Sequence, residues 1–138
     1  MKSGYRQPLR RASRSSATFM RTMNTVAWIL GIILAGGFGV AGVTKLLDLD
    51  RMRDHLGYSA RQYRLIGLSE VAGAAGVVIG LVSRKFEWVA LTAGAGICCL
   101  LLGALIAHAR VEDESKKIIP AVVTLVVTAA FLITISLR

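Results

Sequence analysis

The sequence predicts an all-α membrane protein, a bundle of four transmembrane helices running up-down-up-down. Three observations predict it. The chain has 138 residues, 54% of them hydrophobic, and a mean hydropathy of +0.60. Its apolar residues gather in four runs, each close to the ~20 residues needed to cross a hydrocarbon core. The polar stretches between the runs are short, which makes consecutive helices antiparallel neighbours. Such helices associate through close packing and interhelical hydrogen bonds, because lipid tails are as apolar as the side chains that face them.

Residues 1–24 (MKSGYRQPLRRASRSSATFMRTMN) form a basic tail with six Lys or Arg and no acid. This composition predicts a disordered or membrane-surface segment attracted to anionic headgroups. The transmembrane domain follows as residues 25–138. Segment one spans 25–47, with Trp28 at the entry as an interfacial anchor and Lys45 at the far end. Gly31, Ala35 and Gly39 recur every four residues, a column of small residues that lets another helix approach closely. The mixed-charge loop 48–58 holds His55. Ser59 is the predicted N-cap of segment two, 60–82. That segment carries Glu70 about 9 Å in from Arg64 at 1.5 Å per residue, and a second small-residue column, Ala72, Gly76 and Gly80.

A turn at 83–87 leads to segment three, 88–109, which begins at Trp88 and ends at His108. Ala95, Cys99 and Gly103 form its column. Cys98 and Cys99 are adjacent, match neither a CxxC motif nor a zinc-ligand spacing, and are expected to pack as small apolar thiols. A hydrophilic loop, 110–117, precedes segment four, 118–137. Pro120 falls in the first turn of that segment, where its missing N–H costs little. With no charge of its own, the fourth segment is expected to serve packing and lipid contact.

The net charge is +9, but the basic residues flank the apolar runs, as membrane topology requires, and this argues against a nucleic-acid partner. In alternating topology the tail, the 83–87 turn and Arg138 share one side, with nine basic residues against eight on the other. The six-charge tail beside the first helix decides the orientation: both termini in the cytoplasm, in the inner or plasma membrane. Lys45, Glu70 and His108 then share the opposite half. A carboxylate within a spanning segment requires a partner or a purpose. One reading is a Lys45–Glu70 ion pair that sets helix register, with His108 at the interface. The other is a polar pocket that takes a headgroup, a quinone or a proton, with His108 bonded to the same carboxylate.

Three stretches carry a family resemblance: Gly42-Val43-Thr44-Lys45-Leu46 ending segment one, Leu65 to Ala74 (LIGLSEVAGA) opening segment two, and Leu102 to His108 (LGALIAH) closing segment three. In this order they resemble the DoxX-like family of small four-helix membrane proteins, over about residues 26–137. The resemblance implies a membrane partner or subunit of a redox system, such as a thiosulfate:quinone oxidoreductase. A eukaryotic branch is similar to chaperones that help membrane receptors assemble. It implies no catalytic residue; Lys45, Glu70 and His108 carry over only as the family's polar pattern.

Three functions follow as expectations: a noncatalytic partner or anchor of a membrane complex, a quinone- or sulfur-linked oxidoreductase subunit, and a small transporter. No haem pair, flavin motif or metal cluster is visible in the sequence, so no cofactor is evident; the oxidoreductase reading would take a quinone or a cofactor borne by a partner. The transporter reading is weakened because segment one lacks the acid that four-helix multidrug exporters carry there. The expected partners are the lipid bilayer, another membrane protein, or a second copy of the chain through the small-residue columns.

Overall fold

The computed structural model describes residues 7–48 and 56–138, with side-chain surroundings from residue 15 onward. Most of the predicted loop 48–58, His55 included, lies outside the described residues. Every long element is a helix: α1 Gln7–Leu47, α2 Ala60–Val82, α3 Glu87–Arg110 and α4 Ser115–Ser136, with a single 3₁₀ turn, Arg84–Phe86, between α2 and α3. All four helices are long and apolar enough to cross a membrane.

Local chemistry explains the start of α2. Ser59 caps α2 as expected. Its hydroxyl accepts from the Gln62 N–H at 3.3 Å, and the Gln62 side chain accepts from the Ser59 N–H at 2.7 Å, a reciprocal capping box. Two boundaries differ from expectation. The backbone is already helical from Gln7, so residues 7–24 continue the first spanning helix. α4 begins at Ser115, because the Lys117 N–H closes a first turn on the Glu114 carbonyl at 2.9 Å. Pro120 is therefore the sixth residue of α4 and deprives the Lys116 carbonyl of an intrahelical donor, rather than sitting harmlessly in the first turn. The same shift brings Lys116 and Lys117 into the helix, so its first turn is charged.

The helices form a ring in which α1 packs on α2 and α4, and α3 packs on α2 and α4. At its centre Leu34, Val77, Ile97, Phe131 and Ile135 are at most 2% exposed. Glycines admit the large side chains: Gly31 abuts Leu81 and Phe131, and Gly94 abuts Leu132 and Phe131. Contacts run in opposite order along neighbours. On α1 and α2 they join Gly31 to Leu81, Gly39 to Ala74 and Gly42 to Gly67; on α2 and α3 they join Gly80 to Ala90, Gly76 to Ala93 and Gly73 to Ile97. The outer surface is apolar. Ile32, Val40, Leu65, Val82, Trp88, Val126 and Ile133 are all more than half exposed, a surface suited to acyl chains.

Candidate functional site

The close approach of α1 and α2 positions the first two polar residues. A methyl group on Gly42 would lie 2.6 Å from the Gly67 carbonyl oxygen, and one on Gly67 would lie 2.9 Å from the Gly42 carbonyl oxygen and 3.1 Å from Lys45 Cβ. The backbones touch only because neither residue has a side chain. Lys45 stands three residues after Gly42 and Glu70 three after Gly67. Each is thus on the face of its helix that carries the contact, one turn along. Lys45 Nζ reaches both carboxylate oxygens of Glu70, at 2.8 and 2.7 Å. The Glu70 side chain is 10% exposed and that of Lys45 20%. The ion pair expected from the sequence is present.

His108 is held differently. Its Nδ1 is 2.7 Å from Asp113 Oδ2, and Lys117 Nζ donates to Asp113 Oδ1 at 2.8 Å. Asp113, in the loop after α3, clamps the end of α3 to the start of α4. The expected bond from His108 to Glu70 is not found among the described residues. Asp113 reaches the imidazole because the loop folds back so that the Asp113 N–H donates to the His108 carbonyl at 3.2 Å. Only charge was legible in the sequence RVEDESKK; which acid would turn inward depends on that fold-back.

The three polar residues nevertheless border one cavity. Lys45, Glu70 and His108 all line a cavity of about 910 Å³ bounded chiefly by α2 and α3. Tyr58, Tyr63 and Ser69 join them at that end. Tyr63 is buried, and Tyr58 meets it edge to face at 5.7 Å. The cavity extends along α3 to Trp88 through Ile97, Gly96, Ala93 and Thr92, a largely apolar wall. Among the described residues no cluster of His, Cys, Asp and Glu could hold a metal ion, and no buried side-chain nitrogen or oxygen lacks a hydrogen bond.

The small-residue columns divide. Gly31, Ala35, Gly39, Gly76 and Gly80 face neighbouring helices. Ala72 is exposed and lines the cavity. Ala95, Cys99 and Gly103 are exposed, with open space beyond Gly103. The bundle face of α3 is instead Ala90, Gly94, Ile97 and Leu101, one position round the helix, because Gly94 is the residue that receives Phe131 and Leu132. Cys98 is half-buried, and Cys99 lines the cavity rather than packing inside the bundle.

At the opposite end the structure contains a polar knot that the sequence reading did not single out. The Arg138 side chain is 1% exposed. It donates to the Gly80 carbonyl at 2.6 Å, the Leu81 carbonyl at 3.3 Å and Glu87 at 3.1 Å. Carbonyls in the last turn of a helix lack intrahelical donors, and a cation there also meets the negative end of the helix dipole.

Comparison with known proteins supplies one match. A model of the DoxX-like family covers residues 29–131. No curated protein and no solved structure matches the chain.

Proposed function

The chain belongs to the DoxX-like family, and on that premise we propose that it is a noncatalytic membrane subunit that holds a lipid-soluble amphiphile between α2 and α3. One observation carries the reading: Lys45, Glu70 and His108 line the same 910 Å³ cavity, whose remaining wall is largely apolar. Ligand sites have this composition, a mostly hydrophobic lining with a few convergent polar groups. The polar head of the molecule sits at Lys45, Glu70 and His108, and its apolar body lies along α3 towards Trp88. A quinone has this shape. Its carbonyls accept hydrogen bonds and match the donors of a lysine ammonium, while Glu70 keeps that ammonium in place. No step of chemistry is assigned to the residues. The basic segment before Trp28 puts that end in the cytoplasm of an inner or plasma membrane, so the polar end of the cavity faces outward.

A second reading uses part of the same wall, since Cys99 and Gly103 also line the cavity. Ala95, Cys99 and Gly103 leave a shallow, exposed strip on α3, a surface against which the spanning helix of a partner protein or of a second copy can seat. The two are separated by purification from native membranes in mild detergent, followed by mass spectrometry of everything retained, with Glu70→Gln as comparison. A quinone or lipid bound by the wild type and lost from the variant supports the cavity. A protein retained equally by both supports the helix seat. A folded wild type that retains neither removes both readings.

A further inference from the structure

α1 is too long for its place in the bundle. Its 41 residues make a helix of about 61 Å, roughly twice the thickness of a hydrocarbon core. Ala27 is the first fully buried residue described, Met23 and Asn24 are partly buried, and residues 15–22 are all exposed. Residues 15–22 of the helix are therefore outside the bundle.

Its residues are arranged in two faces. At about 100° per residue, Arg10, Arg14 and Arg21 fall within an arc of about 40°. Ala12, Phe19 and Met23 fall within a similar arc on the opposite side, and Phe19 is 51% exposed. No acid precedes Asp48 in the sequence. A helix that is cationic on one side and apolar on the other suits the boundary between headgroups and acyl chains. A soluble polyanion would account for the arginines but not for the apolar face behind them.

Standing upright, the helix would lift Arg14 and Arg10 about 21 and 27 Å beyond Trp28, well past a headgroup layer of about 5–7 Å. Two threonines lie where it would have to tip. Thr22 Oγ1 donates to the Thr18 carbonyl at 3.0 Å and Thr25 Oγ1 to the Arg21 carbonyl at 3.1 Å. Hydroxyls bonded back one turn compete with the backbone ladder and bend helices. We propose that residues 7–24 are an anionic-lipid-binding arm, which turns at 18–25 and lies on the leaflet next to Trp28. Its arginines engage phosphate headgroups and its Phe19–Met23 face meets the acyl chains. The covalent tether to a spanning helix keeps the arm at that surface, so weak individual contacts suffice.

The test uses the full-length protein in nanodiscs of phosphatidylcholine alone and of phosphatidylcholine with one-third phosphatidylglycerol. Amide hydrogen exchange across 7–24 is the readout. Exchange is expected to slow at least about tenfold with phosphatidylglycerol, given several basic residues each drawn to an anionic surface. The protection should fall in high salt and disappear in R10Q/R14Q/R21Q. It should persist in R84Q/K85Q, which alters charges on the 3₁₀ turn at the same end of the bundle. Arg21 is exposed and all three substituted positions precede Ala27, the first buried residue described, so exchange within the bundle should be unchanged. Equal exchange in the two lipid mixtures overturns the proposal. So does protection that survives the triple substitution, or protection that appears only when RNA or an acidic protein is added.

Discussion

Glu70 shows how one residue can be read at two levels. A carboxylate this deep is tolerable because Lys45 saturates both of its oxygens. Removing one member of a buried pair leaves an uncompensated charge, which typically costs about 3–5 kcal/mol. Glu70→Gln should therefore lower the stability of the bundle by about 3 kcal/mol, read as thermal unfolding in detergent. Replacing both partners, Lys45→Met with Glu70→Leu, should recover most of that loss, since apolar pairs often substitute for buried ion pairs at little cost. If the double variant melts like the wild type but no longer retains an amphiphile, the pair serves the cavity as well as the fold. If the single variant melts unchanged, the pair does not hold the helices. Arg138 makes a parallel case at the other end. Arg138→Ala strips donors from two α2 carbonyls and from Glu87. Losing hydrogen bonds to a charged group of this burial should cost about 2–3 kcal/mol, measured in the same unfolding experiment.

At the scale of the element, the backbone-to-backbone contact of α1 with α2 near Lys45 rests on two glycines. A side chain on Gly42 meets backbone atoms of Gly67 and Val71, which cannot rotate away. Gly42→Leu should separate the helices near Lys45, break its bonds to Glu70 and markedly reduce the yield of folded protein. Gly103 is also a glycine in a spanning helix, but nothing lies within 4 Å of a methyl group placed there. Gly103→Ala should be tolerated and stabilise the helix by up to about 1 kcal/mol, since alanine is the better helix former. Size-exclusion elution and melting of the two variants separate a packing glycine from an exposed one. Periodicity in the sequence located Gly31, Gly39, Gly76 and Gly80 on packing faces. On α3 it could not choose between the row through Gly94 and the row through Ala95. Both offer a small residue at that level, and they differ by one position round the helix.

At the scale of the molecule, the two ends differ in kind. One carries Trp28, Trp88, the Arg138 knot and the basic arm; the other carries Tyr58, Tyr63, the ion pair and the His108–Asp113 clamp. If the basic end is cytoplasmic, Ser83→Cys in a Cys98→Ala, Cys99→Ala background should react with a membrane-impermeant maleimide only after the cells are opened. Glu114→Cys in the same background should react in intact cells. The reverse pattern would turn the cavity's polar end towards the cytoplasm and move the arm to the outer leaflet.

The sequence alone determined that four apolar helices span a membrane, where α2 begins and ends, and that Lys45, Glu70 and His108 are the polar residues to follow. These depend on local quantities: hydropathy over about twenty residues, a capping box, and charge against an apolar background. Tertiary structure decided which carboxylate each cation meets, that backbone touches backbone at Gly42 and Gly67, that Arg138 closes the far end of α2, and that the polar trio lines one cavity. Those outcomes depend on how far each helix is rotated about its axis and how each loop folds back. A turn of one residue exchanges a buried row for an exposed one without changing composition or period, so only the packed helices choose between them.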